Sequence, residues 1–344
     1  MKKYIPIIFI CVFLCFNKKG NSQTLPVYSQ YMFNEYLINA AYAGTYDFTP
    51  IMINHRSQWV GFGESTPKTS SISAHSELGE KGALGGLMIY DKTSPISRTQ
   101  IEGTYAYHSI IGANKNFILS MALSGTFNML QFAYEPNMTY SEMIDGSIDN
   151  VNQANESSSA ADLNFGMVLL NDYFDVGLSV RNLFGMEPSI TSDNNTVERV
   201  KYIMLHGSYL GRNNPQNPIG IIPSFVIRKM GLITYNSLFQ LDLNLKVVYL
   251  NKIWAGITYR THEKAMCTLL GLNTDIGFFG WSYDVGTSEL GSYHNGSHNI
   301  AIGFNIKGKN RRKIRNQHPF HLNIDSEWRP IKLPRTKRHQ AGRN

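Results

Sequence analysis

Residues 239–248 read FQLDLNLKVV. Phe239, Leu241, Leu243, Leu245 and Val247 alternate with Gln240, Asp242, Asn244 and Lys246. A period of two predicts a strand with one apolar and one strongly polar face. In a soluble sandwich the apolar face meets a core and the polar face meets water. In an outer-membrane barrel the apolar face meets lipid and the polar face a wet lumen. Segments of the same period recur along most of the chain after residue 48: 50–59, 69–78, 84–91, 99–111, 117–127, 161–171, 173–184, 199–210, 219–229, 235–249, 252–261, 265–273, 276–285 and 297–307. Most run about ten residues, the length a tilted strand needs to cross a bilayer, whereas soluble strands average about five or six. No helical period of comparable strength appears.

The spacing of these segments favours the membrane. An even strand number is expected of bacterial single-chain barrels. If the N-terminus is periplasmic, loops after odd-numbered strands face outward, and these include the three longest, 128–160, 185–198 and 286–296. Loops after even-numbered strands are shorter. Aromatics gather near expected strand ends (Trp59, Tyr90, Tyr107, Tyr173, Tyr202, Tyr249, Trp254, Tyr259, Trp281, Tyr283), as amphipathic rings do at a headgroup region. Glycines within strands, Gly85 and Gly166 among them, mark bends or places where the lumen needs room. The predicted fold is all-β: a transmembrane outer-membrane barrel of about fourteen antiparallel strands over residues 48–307. The Leu face of 239–248 then meets lipid, and Asp242 and Lys246 face the lumen.

Both ends of the chain differ from this body. Lys2 and Lys3 precede a 13-residue apolar stretch, Tyr4–Phe16, with small residues Gly20 and Ser22 after it. That is the layout of a signal peptide over residues 1–22, and the stretch is too short to span as a helix. Cys11 and Cys15 leave with it, so Cys267 alone remains and no disulfide framework is expected. The formal net charge is +7, yet residues 1–22 carry four lysines and residues 308–344 carry eleven Lys/Arg against Asp325 and Glu327. The body between them is therefore acidic. A basic tail on an acidic body suggests an anionic partner for the tail.

The chain shows little sign of catalysis or metal binding. His75 lies between Ser73 and Ser76, and His55 on the preceding strand, but no nucleophile elbow surrounds either, so a barrel hydrolase is the weakest reading. His294 and His298 are two potential ligands without a third. The acidic loop 141–156 lacks calcium-loop spacing. No phosphate-binding glycine loop is present, and no cofactor or metal is expected. The run KNRRKIR at 309–315 does not signify nucleic-acid binding in a chain with a signal peptide. Residues 25–47 are aromatic-rich and aperiodic, carrying only Glu35 and Asp47 as charges. A plain barrel does not need them. They either plug the lumen, line a binding surface or pack as a simple arm.

Within that segment, YSQYMFNEYLINAAYAG (28–44) resembles the start of mature PorP/SprF-family proteins of the type IX secretion system, except that Ala40 stands where the family usually has proline. HRSQWVGF (55–62), TPKTSSISAHSEL (66–78), GGLMIYDKTSPIS (85–97), IIPSFVIRK (221–229), FQLDLNLKVVYLNKIWAGITYR (239–260), WSYDVGTSEL (281–290) and GSHNIAIGFNI (296–306) resemble later family blocks in order. The basic tail after residue 307 is a second departure. The resemblance implies a non-enzymatic outer-membrane component of type IX secretion in gliding or adhesin-secreting bacteria. It would hold or receive the C-terminal signal domain of a secreted surface protein or adhesin, and associate with periplasmic ring or lipoprotein components. The expected partner-contacting residues are Tyr28, Gln30, Tyr31, Phe33, Asn34 and Tyr42 in the N-terminal motif, with Arg56, Gln58 and Trp59 at the first outer loop. Arg311, Arg312, Lys313 and Arg315 in a periplasmic tail form a further candidate contact. The alternative is a passive porin or small-solute transporter, which an open polar lumen would favour and a lumen filled by residues 23–47 would oppose.

Overall fold

The computed structural model describes residues 29–32, 34–46, 48–61, 66–79, 81–111, 117–132, 156–171, 173–186, 188, 201–210, 218–230, 238–250, 252–274, 276–286 and 295–307. The signal peptide expected at 1–22 and the basic tail at 308–344 lie outside them.

Fourteen strands form a closed barrel in which each pairs with its sequence neighbours and the first with the last. They are β1 (Phe48–Ser57), β2 (Lys68–Leu78), β3 (Gly82–Thr93), β4 (Ile96–Ile111), β5 (Phe117–Phe132), β6 (Glu156–Leu170) and β7 (Phe174–Arg181). Then follow β8 (Tyr202–Tyr209), β9 (Ile219–Met230), β10 (Leu238–Tyr249), β11 (Ile253–Arg260), β12 (Ala265–Asn273), β13 (Gly277–Gly286) and β14 (Ser297–Lys307). The closing seam runs antiparallel from Phe48 opposite Lys307 to Ser57 opposite His298. Closure leaves no open sheet edge, which is what lets strands cross hydrocarbon.

All fourteen predicted strands are present. The largest difference lies in the β5–β6 hairpin. β5 continues to Phe132 and β6 begins at Glu156, so the connection expected over 128–160 shrinks to 133–155. The added segment of β6, ESSSA at 156–160, has no apolar alternation. Its strand state comes from pairing with β5, Phe132 opposite Glu156 through Asn128 opposite Ala160. The wall is consequently uneven: β4 and β5 have 16 residues each, β7, β8 and β11 only 8. Connections after odd-numbered strands include 133–155, 182–201 and 287–296, although β3 and β4 are joined by 94–95 alone. Those after even-numbered strands reach at most 210–218. The two rims are called here the odd-turn and even-turn ends.

The two faces of the wall have opposite chemistry. On β10, Gln240, Asp242, Asn244 and Lys246 are buried inward while Phe239, Leu243, Leu245 and Val247 stand exposed outward. Ile53, Ile72, Ile101, Leu123, Leu205, Ile221, Ile257, Leu270, Phe279, Ile300 and Phe304 continue this apolar exterior around the ring. A water-soluble monomer does not tolerate such a continuous surface. A bilayer does, because there the exposed side chains replace lipid-facing ones. Leu245 sits mid-strand between the outward rings of Tyr249 and Tyr259. Leu245→Arg is expected to cost about 2–4 kcal/mol of folding stability in bilayers. Asn244→Ser, one residue away but lumenal, is expected to cost less, both read from denaturant titration in lipid vesicles.

Candidate functional site

The N-terminal arm lies inside the barrel. Residues 29–46 form three short 3-10 turns, Ser29–Met32, Glu35–Leu37 and Ala40–Tyr42. Their ring and aliphatic side chains are buried: Tyr31, Tyr36, Leu37, Tyr42 and Tyr46 are each 3% exposed or less. The polar inward wall receives them with a directional bond at almost every step. The Tyr31 hydroxyl donates to Asn244 Oδ1 (2.9 Å), with Asp242 Oδ2 at 3.2 Å, both on β10. Lys246 donates to the Met32 carbonyl (3.2 Å). Asn34 donates to Ser73 Oγ on β2 (2.7 Å), and Tyr36 shares a 2.7 Å hydrogen bond with Thr104 on β4. Arg181 and Ser179 on β7 donate to the carbonyls of Leu37 (2.9 Å) and Ile38 (2.7 Å). Ser120 on β5 donates to the Ala41 carbonyl (2.6 Å), Tyr42 to Asp175 on β7 (2.9 Å), and the Gly44 amide to His75 Nδ1 (3.1 Å).

Asn39 is the most connected arm residue. Its amide nitrogen lies 3.1 Å from the carbonyls of both Met167 (β6) and Leu178 (β7), and 3.0 Å from His206 Nε2 (β8). Its Oδ1 accepts from the Ala41 amide (3.0 Å), capping the third turn. Such close approach requires glycine on the wall. A Cβ on Gly166 would overlap Asn39 Oδ1, and one on Gly85 would lie 2.6 Å from the Tyr36 hydroxyl. These two glycines make the room anticipated inside the lumen.

Several charges of the lumen are paired with one another. Asp242 takes Arg228 at 2.6 Å and Gln240 at 2.7 Å, and the Arg228 guanidinium sits 5.1 Å from the Tyr31 ring centroid. Burial pushes the Tyr31 and Tyr36 phenols up, so both remain neutral hydroxyls. Across the ladder from Asp242, Arg260 reaches Asp284 (3.3 Å) and Glu263 (2.9 Å), and Asp284 also holds Arg56 (2.7 Å). Removing one partner of a buried pair strands the other, at a cost of several kcal/mol. A small cavity, partly open to solvent, remains between the arm and β7–β10, lined by Met32, Ile38, Leu210, Ile222 and Phe225 with Lys246 and Asp175.

The structure separates the residues expected to contact partners. Tyr31, Asn34 and Tyr42 bind the wall, and with the arm seated they are out of a partner's reach. The backbone of Gln30 belongs to the first turn. Tyr28, Phe33, Arg311, Arg312, Lys313 and Arg315 lie outside the described residues. Arg56 turns inward from β1 into the Asp284 ion cluster. Gln58 and Trp59 follow β1 at the odd-turn end, where the Gln58 amide donates to the Pro67 carbonyl (2.9 Å) and the Val60 amide to the Gly296 carbonyl (2.9 Å). Those bonds hold Trp59, 38% exposed and at φ 53°, on a fixed turn. The candidate chemical residues do not converge. His75 is bonded to the arm, His55 faces outward with Ser70 (2.9 Å), and His298 lies tilted against Tyr283 outside the wall. Among the described residues no group of three or more His, Cys, Asp or Glu is placed to hold a metal ion. Asn39 and Ser120 were missed by sequence reasoning, which read Gly85 and Gly166 as lumen space without naming what enters it. The available signal was a lone Asn in an apolar run facing glycines within strands.

Deleting residues 29–46 while keeping the signal segment is expected to turn a silent barrel into a conducting one in planar bilayers, with heat-dependent gel mobility reporting that the wall still folds. Ala40 begins the third turn behind an extended Asn39 (φ −148°, ψ 115°), a position that suits proline. Ala40→Pro is expected to stabilise the protein by about 0.4–1 kcal/mol in a denaturant titration.

Several solved outer-membrane proteins share the general shape. The CymD monoaromatic hydrocarbon channel is 9% identical, with a TM-score of 0.46 over 85% of this chain and 96% of its own. The Ralstonia pickettii toluene transporter TbuX is 8% identical, with a TM-score of 0.44 over 84% and 96%. BamA from Haemophilus ducreyi lacking POTRA domains 1–3 is 10% identical, with a TM-score of 0.41 over 75% and 70%. These are distant likenesses of shape and lend no transport chemistry to this chain. No curated protein matches it. The sequence match is of another kind: residues 20–304 fit the family described as type IX secretion system membrane protein PorP/SprF. That match includes the lumenal arm and stops at the last strand, short of the basic tail. This outer-membrane β-barrel with the segment before its first strand folded into its own lumen belongs to the PorP/SprF family of type IX secretion system membrane proteins.

Proposed function

We propose that the chain is a non-enzymatic, non-conducting outer-membrane component of type IX secretion that receives or holds a secreted surface protein by its C-terminal signal domain. The observation that carries this reading is the seated arm. A lumen crossed by hydrogen bonds from residues 31–44 to β2, β4, β5, β6, β7, β8 and β10 is poorly suited to passive solute flow. Family membership supplies the secretion context.

In this reading the odd-turn end faces outward and meets the cargo. The fixed, half-exposed ring of Trp59 with Gln58 beside it is the kind of rigid aromatic anchor that dominates protein interfaces. The even-turn end faces the periplasm. The arm leads into β1 and β14 ends there, Phe48 opposite Lys307, which supports a position on the same side for the tail that carries Arg311, Arg312, Lys313 and Arg315. There it would meet an acidic surface of the periplasmic machinery. Tyr28 and Phe33, on either side of the first turn in the sequence, and Gln30 within it are the arm residues assigned to that partner.

Affinity purification of the tagged protein from its own envelope in mild detergent, with mass spectrometry of what accompanies it, tests this. Co-recovery of a large surface protein is expected. It should be lost in Trp59→Ala and retained without residues 308–344, whose removal should release the periplasmic components instead. A barrel that emerges alone and conducts ions with its arm intact would replace this reading with the porin.

A further inference from the structure

Around β13, β14, β1, β2 and β3, outward side chains fall into registered rows. The first row is Phe279, Ile302, Ile53, Ile72 and Met88, wholly apolar. Two residues nearer the odd-turn end the row is Trp281, Ile300, His55, Ser70 and Tyr90. Two further on it is Tyr283, His298, Ser57, Lys68 and Lys92. Within about 14 Å along the strands the lipid-facing surface passes from hydrocarbon side chains to rings and then to cations.

The polar rows have an internal order. His55 Nδ1 lies 2.9 Å from Ser70 Oγ. Trp281 and Tyr283 are parallel to within 5°, with centroids 6.2 Å apart, and His298 lies 4.9 Å from Tyr283. Lys68 and Lys92 are direct cross-strand partners, both exposed. Like charges placed opposite each other destabilise a sheet, and among the described residues neither lysine forms an ion pair. An anion between them would convert repulsion into attraction. The Trp281–Tyr283 stack, three strands from Lys68 along the same rows, offers ring surface to the far end of a disaccharide that carries the anion, and the apolar row beneath accepts acyl chains.

We propose that this face binds the phosphorylated disaccharide headgroup of an outer-leaflet glycolipid, with Lys68 and Lys92 on a phosphate at one end and the Trp281–Tyr283 stack on the sugar at the other. The site lies on the outer wall, separate from the lumen; it rests on the outward orientation of the odd-turn end given above and not on the cargo role. It would fix the barrel's height and rotation relative to the leaflet in which surface proteins are displayed.

Native mass spectrometry of the full-length protein, released from detergent with added lipid, tests the proposal. The probes are phosphorylated lipid A, its dephosphorylated form and phosphatidylglycerol. The wild-type protein is expected to retain phosphorylated lipid A in preference to both others. Lys68→Gln with Lys92→Gln should weaken that binding about thirtyfold, the combined effect of two cations near an anionic headgroup. Trp281→Ala should reduce lipid A retention and leave phosphatidylglycerol unchanged. Both substitutions are on the exposed surface, and heat-dependent gel mobility verifies folding. Equal retention of phosphatidylglycerol, or unchanged lipid A binding in the double variant, overturns the proposal.

Discussion

The architecture depends on satisfying a polar lumen without bulk water. Fourteen strands that put apolar side chains on lipid must, by the two-residue period, put their alternate residues inward. Those inward residues include Asp242, Lys246, Arg181, Glu102 and Asp175, groups whose burial is costly without partners. The arm meets that demand. Its carbonyls at Met32, Leu37, Ile38 and Ala41 take donors from Lys246, Arg181, Ser179 and Ser120, and its Tyr and Asn side chains bond the rest. Each such bond is worth about 0.5–1.5 kcal/mol net, but an inward group left unsatisfied costs about 1–3 kcal/mol. Losing the arm would therefore leave the lumen to be wetted.

The same arrangement links fold and function. A passive pore keeps its inward groups hydrated, whereas here much of their hydrogen bonding goes to residues 31–44 of the same chain. The Asp284 cluster with Arg56 and Arg260 lies beside this contact, since Arg260 is opposite the Asp242 that Tyr31 meets. The wall is thereby braced from inside by the arm and by ion pairs together, while Trp59 and the outward rows from β13 to β3 remain available to other molecules.

The strands were legible because each obeys a local rule. FQLDLNLKVV shows its two faces within ten residues, and lipid enforces the alternation. The start of β6 was not legible, since ESSSA has no apolar face and is held in strand conformation by Asn128–Phe132 across the ladder. The arm's aromatic, aperiodic character pointed to a special role. Its destination did not follow, because the bonds that seat it join residues far apart: Tyr31 to Asn244, Asn39 to Leu178 and His206. Arg56 was read as part of an outer loop through proximity to Gln58 and Trp59. The pleat turns it the other way, and the carboxylate that receives it comes from the thirteenth strand.

The closing seam imposes an order on assembly. Phe48 pairs with Lys307, so the ring cannot shut until the last strand has been made, and ring closure is the most non-local step of folding. The arm precedes the first strand, so the material that fills the barrel is present before any wall exists to enclose it. The nascent wall can condense around a ready interior, as a soluble domain does around its core, rather than shutting on a water column that must later be displaced.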